Sequence, residues 1–438
     1  MDSKQKKLII VLSITAGVLL LLNVILFALT RSGEKKPEEI TLVYWGFWEE
    51  AEVMHPLLEK YEAENPGVKI FYSKQTSKNY ESRTYTRLEQ GVTDTEPVPD
   101  ILMIHNTWLP KFQQYLTSLP SSIIDRNTYS QEFYPTALDD FTGRDGGIYA
   151  IPLQIDGLMI IYNKSLLSKE GYAEPPQDWD SFLEAAKRLT KYDSTGRIAQ
   201  AGLAIGTSKN ITHATDILTY FMLQNGAELI NRERDEVNLT SQRAISALDV
   251  YTSYAKEEFP TWGTYLPSDL TFFQNGNLAM MFGTTWQALN ILEEMDELSF
   301  GLAPLPILPS NKHLYYPIYW GNAVSKASKN QIEAWKFLQF LSEPEQLRRL
   351  YQNSAKTRTF GQPYSRTSMN EELLLNEYTQ PLGLMAPYMK SWQVGDLEFV
   401  QEVLTRSITS ITEGNKDLES VFRTAQNEIN ERLAVTNK

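Results

Sequence analysis

The sequence predicts an α/β protein in which a sheet with covering helices is built twice, set behind a single apolar N-terminal helix. Three observations predict it. Strand and helix patterns alternate as βαβαβ between residues 40 and 104, which implies a parallel sheet. A similar pattern restarts after Gly146-Gly147. Residues 8–30, LIIVLSITAGVLLLLNVILFALT, form a run of 23 residues without a charge. At 1.5 Å per residue such a run spans a hydrocarbon core of about 30 Å.

That run is expected to be an uncleaved signal anchor, because Phe27-Ala28-Leu29-Thr30 offers no small-residue cleavage site. Lys4, Lys6 and Lys7 before it are nearly balanced by Arg31, Lys35 and Lys36 after it, so charge alone does not orient the helix. The short tail and the large following domain do: residues 1–7 are expected in the cytoplasm and the domain outside it. Residues 31–39, RSGEKKPEE, read as a solvated tether.

Behind the tether, residues 40–44 form a strand candidate leading into Trp45-Gly-Phe-Trp48. Val53, Met54, Leu57, Leu58 and Tyr61 recur at helical spacing, and Asn65-Pro66-Gly67 ends that helix. A strand at 68–72, a helix at 80–90 closed by Gly91, and a buried strand at 101–104 follow. Ligands in such sheets bind beyond the carboxyl ends of the strands. Two of those ends carry aromatics, Trp45 and Trp48 after the first strand and His105, Asn106 and Trp108 after the third. In the second unit, 148–154 is extended, 157–162 is a buried strand, and Asp178 is a helix N-cap before Phe182, Leu183, Ala186 and Leu189. Helices are expected at 214–225, 241–257, 332–341 and 345–351, and 397–433 is predominantly helical.

Composition excludes several classes. A net charge of −13 opposes nucleic-acid binding. The absence of cysteine removes disulfides, thiolate chemistry, Cys-type zinc sites, iron–sulfur clusters and a lipidated N-terminal cysteine. The four histidines form no H-E-x-x-H, and no G-x-S-x-G, phosphate loop or G-x-G-x-x-G is present, so no catalytic residue, metal or cofactor is expected. With 54 acidic residues some carboxylate pair always exists, which leaves a glycan-acting enzyme open on counts.

Five stretches carry a resemblance. Residues 149–167, YAIPLQIDGLMIIYNKSLL, are similar to a "glyP…d…l.YNK.l" segment, and Pro175-Pro-Gln-Asp-Trp179 to a "pP.TW" helix start in which Asp178 stands for the usual Thr. Residues 273–286, FQNGNLAMMFGTTW, resemble "F..G.aAM…g.W", Ala303-Pro-Leu-Pro306 a "PlP" turn, and 323–345 an "aisk.skn…A..Fl.fl.s.e" stretch. In this order they resemble extracellular solute-binding protein family 1, the maltose-binding-protein-like receptors of ABC importers. The chain departs from many relatives in having a plain apolar helix where they carry a lipobox cysteine.

The resemblance implies a two-lobed periplasmic-binding-protein fold, type II-like, with a hinge crossed several times. Lobe one is expected at 40–154 and 300–355, lobe two at 156–298 and 356–438. It implies an extracytoplasmic receptor that captures a carbohydrate between the lobes and delivers it to ABC permease subunits; with the apolar run as anchor, the protein is expected to be a monomer, single-pass in the cell membrane. The expected ligand-binding residues are Trp45, Trp48, Glu49, Asn106, Trp108, Gln154, Asp156, Trp286, Trp320, Asn322 and Trp392. Aromatic faces and planar polar groups are what sugar C–H faces and hydroxyls require. Trp286 and Trp108 are expected to meet one sugar from opposite lobes, whereas Trp179, Trp262 and Trp335 are expected to be structural. A same-fold receptor for another solute and a surface enzyme acting on glycans remain the alternatives.

Overall fold

The computed structural model describes residue 2 and residues 39–436, apart from 92–97, 232–235, 257, 259, 295–298 and 309–312. The expected membrane run at 8–30 lies outside the described residues, as does the tether up to residue 38. Among the described residues no helix is long and apolar enough to cross a membrane.

Two sheets organise the chain. The first contains β1 (Ile40–Gly46), β2 (Val68–Lys74), β3 (Ile101–His105), β4 (Leu116–Thr117) and β5 (Ile151–Pro152). The second contains β6 (Met159–Asn163), β7 (Lys191–Tyr192), β8 (Ile198–Leu203) and, after the small hairpin β9 (Ile230–Asn231) and β10 (Glu236–Val237), β11 (Leu278–Gly283) and β12 (Phe300–Ala303). The chain then returns to the first sheet as β13 (Trp320–Ser325). The first sheet runs β2-β1-β3-β13-β4, with β5 also on β13; the second runs β12-β6-β11-β8-β7. β1 pairs in parallel with β2 and β3, as the βαβαβ pattern predicts, but β13 enters antiparallel to β3.

Every residue of β3, β6 and β11 is buried, which explains why these strands read as unbroken apolar runs. Helix Ala214–Gln224 is buried on all sides, the signature of a helix enclosed by its lobe. Helix Trp179–Leu189 is instead amphipathic, burying Trp179, Phe182, Ala185, Ala186 and Leu189, and Asp178 caps it by accepting from the Ser181 N–H at 2.9 Å.

The lobe boundaries differ from expectation in two places. Residues 300–303 belong to the second sheet, because β12 pairs antiparallel with β6. The stretch 356–388, expected in lobe two, lies largely against lobe one: Tyr134 donates to Asn370 Oδ1 at 2.8 Å, and Arg348 pairs with Glu372 at 2.7 Å. Helices Leu397–Thr412 and Leu418–Thr436 do belong to lobe two, packing on each other and on helix Gln242–Ser253.

The chain crosses between lobes three times, at 153–158, 304–319 and 389–395, and the three crossings are bonded side by side. Leu158 N–H donates to Tyr316 O (2.9 Å), Ile318 N–H to Asp156 O (3.0 Å) and Lys390 N–H to Tyr315 O (2.9 Å), while Ile155 N–H donates to Pro363 O (3.0 Å) at the edge of lobe one. Gly157 is required here: a Cβ on it would lie 2.7 Å from Tyr316 O, a backbone atom of the neighbouring crossing.

Candidate functional site

Beyond β1 the chain must turn sharply, and Gly46 permits it. A Cβ there would lie 2.1 Å from Tyr72 Oη, so only glycine lets the Tyr72 ring cross the backbone. Tyr72 then donates to Glu49 O at 2.7 Å, fixing Phe47, Trp48 and Glu49 at the strand end. Phe47 stacks on Trp320, centroids 4.5 Å apart, and Trp320 begins β13 directly opposite His105 at the end of β3. Trp320 in turn meets Trp48 at 6.2 Å and Trp108 at 4.9 Å, edge to face.

Lobe two supplies the facing wall. Trp286 lies in the first turn of helix Thr285–Glu294. The Asp156 carboxylate, from the first crossing, holds that turn: it accepts from Thr285 Oγ1 (2.7 Å), Thr285 N–H (3.2 Å) and Gly157 N–H (2.7 Å). Burial pushes the Asp156 carboxyl up to about 6 even though these donors favour the anion. Beside Trp286, Gln287 accepts from Thr284 N–H at 3.1 Å and meets His213 Nε2 at 2.9 Å, while His213 Nδ1 lies 2.8 Å from Asp216. Burial opposes a charge on His213, but Asp216 and Gln287 more than offset it and hold its pKa above the ordinary value. Asp216 also acts electrostatically on His105 of lobe one, whose own pKa burial pushes down to about 4.

The two walls meet at Trp48 and Trp286. Their rings are stacked at 4.6 Å with 20° between planes. The Arg358 guanidinium lies 4.7 Å from the Trp286 ring centre and pairs with Glu49 at 2.7 Å, both side chains 8% exposed. Under Trp48 lies a cavity of about 20 Å³ lined by Tyr44, Glu49, Tyr72, Gln154, Trp320 and Asn322 among others. That volume suits about one water molecule and is far short of a sugar ring. With these side chains as placed, the cleft is filled by the protein's own rings. Among the described residues the buried Nε1–H of Trp48 has no acceptor, so a ligand hydroxyl oxygen can satisfy it.

Of the expected site residues, Trp48, Glu49, Gln154, Trp320 and Asn322 line one cavity, and Trp286 joins them through its stack on Trp48. Asp156 is one step removed, gripping the turn that carries Trp286. The others sit elsewhere. Trp45 is half-buried within β1, on the strand face opposite Tyr44. Asn106 is fully buried, donating to Asp140 at 3.1 Å and accepting from Tyr319 N–H at 3.3 Å, so its polar capacity is used inside the protein. Trp108 is buried against Phe112 and Tyr80. Trp392 is buried and bonded to Tyr316. The ring facing Trp286 is therefore Trp48, not Trp108. Asn322 is buried too, accepting from Tyr44 Oη at 2.6 Å and donating to Ile151 O at 3.2 Å.

Sequence reasoning missed Arg358, His213, Asp216 and Gln287. Gln287 was within reach, as the neighbour of Trp286. Arg358 follows helix Pro344–Ser354 in an irregular stretch with no periodicity to mark it.

Residues 48–347 match the family described as bacterial extracellular solute-binding protein. A Brucella abortus protein, named by inference as a binding protein, is 25% identical over 379 residues, covering 83% of this chain and 86% of its own length. A Streptococcus pneumoniae maltooligosaccharide ABC transporter solute-binding lipoprotein is 24% identical over 272 residues, 57% of this chain and 60% of that protein. In structure, an ABC transporter solute-binding protein of Thermotoga lettingae bound with α-D-tagatose superposes with TM-score 0.70 at 20% identity, covering 90% of this chain and all of that one.

Proposed function

Because this chain belongs to the bacterial extracellular solute-binding proteins, which bind rather than turn over their ligands, we propose that it is a carbohydrate receptor of an ABC importer. The observation that carries the reading is the pair Trp48 and Trp286, one indole from each lobe, stacked on each other where the lobes meet. When the lobes part these two aromatic faces separate, and a pyranose entering between them would have both C–H faces covered and water excluded. The cation beside them, Arg358, is neutralised by Glu49, which favours a neutral, hydroxyl-bearing ligand over an anion. The S. pneumoniae relative is named for maltooligosaccharides and the T. lettingae protein holds a sugar, which supports the same class.

In this reading the apolar run at 8–30 anchors the receptor, its single domain outside the cytoplasm as a monomer, where it delivers sugar to membrane permease subunits. Lobe opening admits the ligand and closure around it shifts the population toward the bound arrangement.

The test is a panel of neutral mono- and oligosaccharides, sugar acids and organic anions, titrated calorimetrically into residues 40–438. Saturable binding of a neutral sugar is expected, with a rise in melting temperature because the ligand binds the folded state. Binding of the anions alone would reject the sugar reading. Carbonate-resistant retention of the full chain in membranes checks the anchor.

A further inference from the structure

The two lobes meet a second time, through charge, away from the stacked indoles. Glu81, on helix Tyr80–Gln90, and Lys111, on helix Leu109–Phe112, belong to lobe one. Asp396, the N-cap of helix Leu397–Thr412, and Arg432, on helix Leu418–Thr436, belong to lobe two. Lys111 Nζ lies 2.7 Å from Glu81 Oε1 and 3.3 Å from Asp396 Oδ2. The same Asp396 oxygen accepts from Arg432 Nε at 2.8 Å. Beside this chain of charges, Gly395 N–H donates to Thr107 O of lobe one at 3.0 Å. Glu81, Lys111 and Asp396 are all more than nine-tenths buried, whereas the Arg432 side chain is 46% exposed.

One ammonium thus serves a carboxylate from each lobe. Its bond to Glu81 is internal to lobe one and survives any lobe motion. Its bond to Asp396 exists only while the lobes are together. A buried charge pair of this kind is costly to break by removing one partner and contributes directional preference when intact. Lys111 touches neither Trp48 nor Trp286 and lies outside the cavity under Trp48.

We propose that Lys111 is a positioning residue for lobe closure, its cross-lobe bond to Asp396 biasing the receptor toward the closed arrangement and so setting the apparent affinity. The effect on affinity rests on the cleft being the ligand site: the arrangement this bond favours has its cleft filled by Trp48 and Trp286, so a molecule held in it must open before a ligand enters, and affinity scales with the fraction of molecules that are competent. The bias itself does not depend on which ligand binds.

The chain has no cysteine, so a labelling pair can be placed cleanly. Glu59→Cys in lobe one and Glu184→Cys in lobe two sit at exposed helix positions. Spin labels there report the interlobe distance by pulsed dipolar spectroscopy, using the full chain in detergent with no ligand added. The decisive variant is D396N. It keeps the helix cap, since Asn caps as well as Asp, and leaves the Lys111–Glu81 pair intact. The closed-distance population is expected to fall at least twofold. A second variant, E81Q combined with K111M, removes the chain from the other side without leaving a buried charge alone, and should shift the same distance. E81Q combined with K111R, which returns the cation that faces Asp396, should restore it. An unchanged distance distribution in folded D396N and in the double variant overturns the proposal. So does a lowered melting temperature with no change in distance, which would mark a purely structural pair. Because no ligand is present, this outcome is separable from failure of the sugar reading.

Discussion

Trp335 and Trp48 are the same side chain put to opposite uses. Trp335, on helix Gln331–Leu341, is fully buried by neighbours from its own lobe. Trp48 is only half-buried, and the ring laid over it, Trp286, belongs to the other lobe. Each carries a buried indole N–H without an acceptor among the described residues. At Trp335 that unsatisfied donor is a fixed cost of the folded state, outweighed by the burial of a large apolar ring. At Trp48 the cost is conditional, because it is relieved when the lobes part or when a hydroxyl arrives. What separates a packing ring from a binding ring is therefore whether its cover moves with it.

The sharpest way to break this comparison is to truncate both kinds of ring. W335A should destabilise the domain by about 4 kcal/mol, the transfer and cavity cost of a buried tryptophan. Its ligand affinity should stay within about twofold. Thermal melts and calorimetric titration on the same samples check both. W286A should do the reverse, weakening binding by about 2 kcal/mol, roughly thirtyfold, with the unliganded melting temperature nearly unchanged. Should the two variants behave alike, the distinction drawn between fixed and movable cover is wrong.

A smaller effect concerns the carboxylate that holds the Trp286 turn. Burial raises the Asp156 carboxyl above its ordinary value of 3.8, to about 6. The folded state thus binds a proton more tightly than the unfolded chain. The stability this contributes is fully present below about pH 4 and is lost as pH rises through about 6. D156N has no such group, so its stability relative to wild type should improve between pH 4 and 7, by about 2 kcal/mol. Melting temperatures of the pair across that range give the difference directly; a difference that is flat or falls with pH contradicts the assignment. The smallest effect is expected at Trp45, which shares the sequence cluster but faces away from Tyr44 along β1. W45F should change affinity by less than about twofold, and a large loss would extend the site to the other side of the sheet.

Much of this architecture is legible in the sequence because burial writes itself into periodicity. β3 and β6 are apolar along their whole length, and Asp178 marks its helix start by a side chain that can do little else there. The expected rim at the ends of β1 and β3 holds Trp48 and Trp320 at its centre, with β13 arriving from more than two hundred residues away. The missed parts have no local signature. β13 lies antiparallel between β3 and β4, a placement decided by tertiary pairing rather than by its own residues. Asn106 and Trp392 look like binding residues as letters, and only the structure reveals that Asp140 and Tyr316 have already claimed them. Arg358 reaches the cleft from an irregular stretch, where neither a period of 2 nor one of 3.6 points a side chain anywhere.

The triple crossing has a consequence for how the molecule withstands damage. Each lobe is continuous with the other through three separate peptide strands, and those strands are laced to one another by backbone hydrogen bonds. A protease nick in any one of them would leave two covalent links, so the halves would stay at high effective concentration and keep meeting in register. The same redundancy restrains sliding and twisting while leaving rotation about the laced line comparatively free. The receptor's swivel is thus also its safety chain: a cut would loosen the motion without setting either half adrift.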